Sequence, residues 1–383
     1  MVSIVLPCRG IGPSFAGFVL YLTSMDYRVE LYGAGFDSLP LEMRKRFLHY
    51  QKRGRLRVFQ PASSLRRGSQ HTSPVLELIY ALLVWLKYNL GKTKSPIYVC
   101  AAVPPAFLLL LGGRAKVIFE DGGPLPEYLS PKWLSIASTI MRRHVMKRSR
   151  GVVLAGSDFF ARRMMSRFHL DSSKVFVQPE CVLSDLERLQ RDRVNNSVRF
   201  HGRTILCVGG VTPRKNQFVL AKAAPIVLKR FNDIQLIFVG RVEDRGYYDK
   251  IVEYINWEGL TCIQFIGSVS YGSLLSLYDR CDLIVHMGIS EGMSRTLLEA
   301  MTLGKPIVCS AIPENIECMK NGNELRLVAP FDHVSLAIAL NDLLGNPIRA
   351  RRLGENARTT ALKWFNCRDS YKAKHEYITK ALF

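Results

Sequence analysis

Short apolar runs alternate with stretches of helical period along almost all of the 383-residue chain. Val2–Leu6, Ile97–Ala101, Lys116–Phe119, Gly151–Ala155 and Val175–Gln178 form a first set of strand-like runs. Thr204–Val208, Gln235–Val239, Thr261–Ile266, Leu283–His286, Pro306–Cys309 and Leu325–Ala329 form a second. Several are apolar without alternation, the pattern of parallel strands covered on both faces. Between them lie helical stretches such as Gln217–Arg230 and Ser273–Arg280. Strand, helix, strand in this order restricts the chain to an α/β class built from βαβ units. The polar segment Leu186–Gly202, with Asn195-Asn196-Ser197 at its centre, reads as a linker. Two doubly wound domains are therefore expected, residues 1–195 and 196–366, facing each other across a cleft. In open α/β sheets the ligand lies beyond the carboxyl ends of the strands.

Composition narrows the partners. With 48% hydrophobic residues the chain has ample material for a core, which excludes disorder as its main state. The net charge of +21 calls for a polyanionic partner: nucleic acid, an anionic membrane surface or phosphorylated ligands. The charge is uneven, since residues 1–200 hold 30 Lys and Arg against 14 Asp and Glu. No recognisable nucleic-acid module is present, so that partner is not expected. The nine cysteines include no Cys-x-x-Cys pair and read as free thiols of a reducing cytosol. Met1–Leu6, stopped by Pro7 and lacking a basic leader, reads as a first strand and not a signal peptide. Residues 96–113 are broken by Pro104 and Pro105, and residues 75–90 carry Glu77 and Lys87. Neither suits a span, which needs roughly 20 apolar residues.

The densest chemistry lies in the segment from Ser290 to Val308, where Glu291 and Glu299 stand eight apart. Gly292 permits a tight turn after the strand Leu283–His286, a helix begins near Ser294 or Arg295, and Gly304 ends it. Glu291 then lies in a loop at the strand end, and Glu299 about one turn into the helix. The helix start leaves free N–H groups around Arg295, Thr296 and Leu297, an anion site. Two carboxylates flanking an anion site suit a ligand that joins sugar hydroxyls to a diphosphate. Taken as a lone pair, the two acids would equally be ordinary helix-start residues favoured by the helix dipole.

The segment resembles the E-x7-E region of GT-B-fold retaining glycosyltransferases of family 4, the group 1 glycosyl transferases. Cys207-Val208-Gly209-Gly210-Val211-Thr212-Pro213-Arg214-Lys215-Asn216 is similar to that family's first C-terminal strand and phosphate loop. Leu236–Gly240, Phe265–Val269 and Tyr278–Asp282 follow in the family's order. The resemblance covers residues 200–366 well and residues 1–190 in outline. It implies a nucleotide-sugar donor, UDP- or GDP-linked, and no metal or other cofactor. It implies that Lys215, with Arg214 beside it, stabilises the leaving diphosphate. It implies that Glu299 holds the ribose hydroxyls and that Glu291 contacts the transferred sugar. Gly209, Gly210, Gly292, Met293, Ser294, Arg295, Thr296 and Leu297 would meet the donor largely through backbone, with the base near Ile266. Many relatives carry an Arg where this chain has Gly210, which throws weight onto Arg214. The C-terminal helix, about 367–383, would cross back onto the first domain.

In the N-terminal half, Gly12 belongs to a Gly-containing loop after strand one that resembles the family's donor-phosphate loop; a plain βα turn is the alternative. Glu120-Asp121-Gly122-Gly123-Pro124 stands where relatives often place a His. Asp121, or Glu120 beside it, either bonds a sugar hydroxyl or caps the Gly-rich turn. The basic residues Arg53, Arg55, Arg57, Arg66 and Arg67 are interleaved with apolar ones, as are Arg142-Arg143 and Lys147-Arg148. That mixture suits an anionic bilayer or a lipid-diphosphate acceptor, or is a solvated face. The expected protein is thus a retaining glycosyltransferase, peripheral on the cytoplasmic membrane face, serving a lipid-linked or polysaccharide acceptor. A GT-B sugar phosphorylase and a non-catalytic membrane-docked GT-B partner are the alternatives.

Overall fold

The structure is a computed structural model describing residues 2–5, 13–32, 39, 41–59, 74–90, 97–100, 103–111, 115–121, 132–182 and 200–382. The chain divides into two units, Met1–Pro179 with Cys367–Phe383, and Glu180–Asn366.

The first unit is built on a seven-stranded parallel sheet of order β3-β2-β1-β4-β5-β6-β7. Its strands are β1 (Val2–Val5), β2 (Val29–Tyr32), β3 (Leu56–Phe59), β4 (Ile97–Cys100), β5 (Val117–Asp121), β6 (Gly151–Ala155) and β7 (Val175–Gln178). The connecting helices are α1 (Pro13–Ser24), α2 (Leu41–Lys52), α3 (Pro74–Leu90), α4 (Val103–Leu111), α5 (Lys132–Arg148) and α6 (Asp158–Phe168). The two stretches weighed as membrane spans are α3, and β4 followed by α4. Pro104 and Pro105 sit in the first turn of α4, where a missing N–H costs nothing. Among the described residues no helix is long and apolar enough to cross a membrane.

Strands β2 and β3 have no counterpart in the sequence reading. Each carries a charge, Glu30 and Arg57, which face one another in register at 4.0 Å. The pair interrupts the apolar run that marks the other strands. Arg55 binds Asp26. Two of the three expected docking cations of this run are therefore paired with acids, while Arg53 is exposed. Arg66 and Arg67 lie outside the described residues, as does Gly12.

Glu120 and Asp121 also differ from expectation. They are not in a loop after the strand but are the last residues of β5, both buried. Arg142 from α5 donates to Asp121 Oδ2 at 3.0 Å. The returning helix α14 (Cys367–Leu382) sends Lys374 to Glu120 at 2.7 Å, where Tyr98 also donates. Buried carboxylates must be paired, and these pairs fasten α5 and α14 to the sheet.

The second unit has a six-stranded parallel sheet of order β10-β9-β8-β11-β12-β13. Its strands are β8 (Arg203–Val208), β9 (Ile234–Val239), β10 (Ile263–Phe265), β11 (Leu283–His286), β12 (Ile307–Ser310) and β13 (Arg326–Val328). Helices α7 (Gln217–Leu228), α8 (Arg245–Trp257), α9 (Tyr271–Arg280), α10 (Arg295–Thr302), α11 (Pro313–Ile316), α12 (His333–Gly345) and α13 (Pro347–Trp364) complete it. Ile205, Ile237, Val285 and Val308 are fully buried, as strands covered on both faces require. The unit begins earlier than the expected 195/196 boundary. Val182 N–H donates to Phe365 C=O at 2.9 Å, and its side chain joins the core with Leu206 and Ile284. Most of the expected linker, its residues 186–199, lies outside the described residues.

Candidate functional site

Strand order in the second sheet reverses between β8 and β11, which are hydrogen-bonded neighbours. Chain leaving their carboxyl ends diverges to opposite sides, and the gap between the two loops is where such sheets bind ligands. After β8 come Gly209 at φ +149° and Gly210, with Gly240 at φ +145° beside them after β9. A Cβ on Gly240 would fall on the Gly209 carbonyl, so only glycine fits. Thr212 then caps a 3-10 turn, Pro213–Lys215, accepting from Lys215 N–H at 3.3 Å. Asn216 turns the chain at φ +52° into α7. Gln217 Nε2 donates to Gly210 C=O at 2.8 Å.

The loop after β11 is stitched to this turn. Ile289 N–H donates to Arg214 C=O at 2.9 Å, and Arg214 Nη1 returns a bond to Ser290 C=O at 2.9 Å. Glu291 is thereby set between cations: Lys215 Nζ lies 2.7 Å from Oε1 and Arg214 Nη1 3.0 Å from Oε2. His286, the last residue of β11, places Nε2 3.5 Å from Oε1. A Cβ on Gly288 would come within 2.8 Å of that same oxygen. Ser310 donates to Gly288 C=O, and Asn315 Nδ2 donates to Ser310 Oγ at 3.1 Å, bracing the loop from β12 and α11. Burial would raise the Glu291 carboxyl, but Lys215, then His286 and Arg214, outweigh it and hold it well below the usual carboxylate range. His286 goes down, first by burial and then by the two cations, against the pull of Glu291. It is neutral at pH 7.

Ser294 caps α10, accepting from Leu297 N–H at 3.4 Å. The first N–H groups of α10 have no carbonyl within the helix. Met293 and Leu297 point their side chains into the core, so only their backbone is left for a ligand. Arg295 is exposed and Thr296 half-buried. Glu299 is buried one turn further on, where it accepts from Tyr271 Oη at 3.0 Å and Tyr278 Oη at 3.4 Å. Burial pushes its carboxyl up to about 7, with Arg295 and the two tyrosines pulling the other way. Ile266 follows β10, donating its N–H to Phe238 C=O at 3.0 Å.

Arg214, Lys215 and Glu291 are thus brought into contact, with Glu299 on the helix that follows. Gly210 is covered by Glu243: a side chain at 210 would run into that carboxylate, which pairs with Arg241 at 2.7 Å. Three neighbours went unread in the sequence: His286, Tyr271 and Tyr278. His286 closed an apolar run and read as a strand end. The two tyrosines, seven apart on α9, share a helix face, the one signal that marks them.

Residues 190–360 match the family model for glycosyl transferases group 1. The chain is 31% identical over 156 residues to phosphatidyl-myo-inositol mannosyltransferase of Mycobacterium leprae, covering 39% of this chain and 40% of that protein. It is 29% identical over 219 residues to the MMP alpha-(1->4)-mannosyltransferase of Mycolicibacterium hassiacum, covering 56% and 50%. The matched stretches thus span half or less of those relatives' length. Among solved structures, Anabaena HepE in complex with UDP and glucose superposes with a TM-score of 0.73 at 16% identity, over 99% of both chains. Sucrose-phosphate synthase of Thermosynechococcus elongatus gives 0.76 at 15% identity, over 99% and 98%. At such identities the likeness is one of fold, two Rossmann-like units of GT-B type. The cation-clasped Glu291, the capped α10 and the match to glycosyl transferases group 1 over residues 190–360 all fall in the second unit of a chain whose fold is of GT-B type.

Proposed function

We propose that this protein is a retaining glycosyltransferase that moves a sugar from a UDP- or GDP-sugar to an acceptor hydroxyl. The observation that carries the reading is the clasp at the β8–β11 edge. Two cations, Arg214 and Lys215, meet one carboxylate, Glu291, close in sequence to the Ser294-capped start of α10. In the proposed reaction Arg214, Lys215 and the start of α10 hold the donor diphosphate. Glu299 accepts from the ribose hydroxyls, Glu291 from a hydroxyl of the transferred sugar, and backbone near Ile266 meets the base. The acceptor oxygen attacks the anomeric carbon from the face that the diphosphate leaves. The acceptor proton passes to the departing phosphate oxygen, and the two cations stabilise the charge that develops there. On this reading the fixed cations and the helix start supply the electrophilic assistance, with no metal required. Named relatives are mannosyltransferases, and HepE was crystallised with UDP and with UDP-glucose. Both facts support a nucleotide-sugar donor.

The proposed acceptor is a lipid-linked sugar or surface polysaccharide at the cytoplasmic membrane face. Its support is the outer face of α3 and α5. Ile79, Leu82, Leu86 and Leu90 make one exposed stripe on α3, and Ile136, Ile140, Arg143 and Lys147 another on α5. Apolar stripes, the one on α5 ending in cations, fit an anionic bilayer, where each well-placed cation contributes about 1 kcal/mol. This moves the proposed docking face from the Arg53–Arg57 run to α3 and α5.

Thermal unfolding against UDP-, GDP- and ADP-sugars tests the donor. Ligand at about 100 times Kd stabilises by about 2.7 kcal/mol, a rise of several degrees. A rise with one base identifies the donor class; no rise with any of them, in folded protein, removes the reading.

A further inference from the structure

His286 is a buried titratable group for which the proposed reaction has no use. Its Nε2 has no hydrogen bond of ordinary geometry: Glu291 Oε1, the nearest acceptor, stands 3.5 Å away. Its side chain is 3% exposed. A buried polar atom left without a partner costs on the order of 1–3 kcal/mol, so a second state in which it is satisfied is to be looked for.

The clasp supplies one. Glu291 engages Lys215 through Oε1 and Arg214 through Oε2, so one carboxylate neutralises both cations that a diphosphate would need. A diphosphate that binds them must compete with Glu291 for the same N–H groups. Glu291 then keeps its charge in a buried place with its cations drawn toward the ligand. The nearest group able to replace them is His286 Nε2, and Gly288, having no Cβ, leaves Glu291 Oε1 room beside it.

We propose that diphosphate binding exchanges the counter-ions of this clasp: Arg214 and Lys215 pass from Glu291 to the ligand, and His286 takes up one proton and holds Glu291. The inference rests on the donor reading given above and adds to it a positioning residue and a proton. The proton comes from solvent and goes to Nε2, where it is donated to Glu291 Oε1. Charge balance favours the step. The charged groups facing His286 are Glu291 from its own loop and Arg214 and Lys215 from the turn after β8. On β12, Cys309 is its partner in register, and Cys207 on β8 faces Lys215; burial raises both thiols, which stay neutral. Without ligand the two cations repel a charged imidazole. A bound diphosphate cancels them, and the remaining neighbour, Glu291, attracts it.

The test is titration calorimetry of the full chain with the nucleotide sugar that binds, near pH 7, in two buffers of different ionisation enthalpy. Nucleotide sugars carry a diphosphate diester that does not titrate between about pH 5.5 and 8.5, so any exchanged proton belongs to the protein. His286 should take up close to one proton per ligand while Glu299, whose carboxyl sits at about 7 and which the ribose hydroxyls favour as a carboxylate, releases up to about half, so the expected result is net uptake of about half a proton. Across the same range affinity should fall with rising pH by up to tenfold per unit. His286→Gln, checked for folding by its melting curve, should still bind but lose the uptake, leaving only the partial release from Glu299 and an affinity that no longer falls with rising pH. Binding by the wild-type chain without proton uptake, or with proton release, overturns the inference and leaves the donor reading standing; this outcome needs no variant. Unchanged uptake in folded His286→Gln overturns it as well. Absence of binding by any nucleotide sugar overturns the donor reading and this inference with it.

Discussion

Glu299 is the residue at which charge and function pull apart most clearly. Burial pushes its carboxyl from 4.5 up to about 7. Between those values the folded chain holds a proton that the unfolded chain has lost. Stability therefore falls as pH rises through this window and is flat above it. The gap corresponds to roughly 3 kcal/mol lost by pH 8 and almost nothing below pH 5. Glu299→Gln removes the ionisable group and keeps an oxygen to accept from Tyr271. The variant should therefore melt higher than the wild type at pH 8, with the curves converging toward pH 5. In a unit of this size 1 kcal/mol moves Tm by about 2–4 °C, so the expected gain at pH 8 is about 6–12 °C. The melt should be followed by intrinsic fluorescence with and without nucleotide sugar. The same variant should bind the nucleotide more weakly, because an amide is a poorer acceptor for ribose hydroxyls than a carboxylate. An equal shift at both pH values, or a lower Tm at pH 8, would refute the reasoning. A carboxylate that costs stability at working pH is intelligible if ligand hydroxyls repay the cost, which is the pattern of a binding residue.

Lys215→Ala should lower turnover by about 10²-fold or more if the ammonium stabilises the leaving diphosphate; wild-type turnover in steady-state kinetics rules that role out. Gly288→Ala puts a methyl against the clasped Glu291 oxygen and should reduce donor binding while Tm moves little, so unchanged affinity would argue against the clasp as the donor site. Gly240→Ala, at φ +145° with the Gly209 carbonyl in the way, should destabilise by about 3 kcal/mol or more, read as a lower Tm. Sedimentation with anionic vesicles should fall with added salt and in Ile136→Glu/Ile140→Glu, and equal sedimentation with neutral vesicles contradicts the bilayer as the occupant of that face.

How much was legible depended on how local the physics is. The parallel strands β4, β6, β8, β9, β11 and β12 stand out because both faces are buried and the sequence must be apolar throughout. β2 and β3 escaped because Glu30 and Arg57 meet across the strands, a pairing no single segment reveals. Arg214, Lys215, Glu291 and Glu299 were legible because they fall in two short segments of distinctive order. Asp121 was misread as a loop acid because its partner, Arg142, lies on a different element. His286, Tyr271 and Tyr278 acquire their meaning only through tertiary contact with the two glutamates, so the sequence displayed them as a strand end and two helix residues.

The two glutamates also show why a shared segment does not imply a shared state. Both side chains are largely withdrawn from water, and that alone raises both. Glu291 meets Lys215 and Arg214 within 3.0 Å and stays ionised. Glu299 meets two neutral hydroxyls and is driven toward neutrality. A depressed carboxyl adds stability above its unfolded value and loses it on acidification, whereas a raised one loses stability as the pH climbs. Glu291→Gln should therefore destabilise the chain at pH 7 and above, leaving two half-buried cations without an anion, while Glu299→Gln stabilises it in the same buffer. If both variants moved Tm in the same direction at pH 8, the difference in partners would not be what separates the two acids. The division of the site into a charged clasp and a hydroxyl-binding carboxyl would then fail with it.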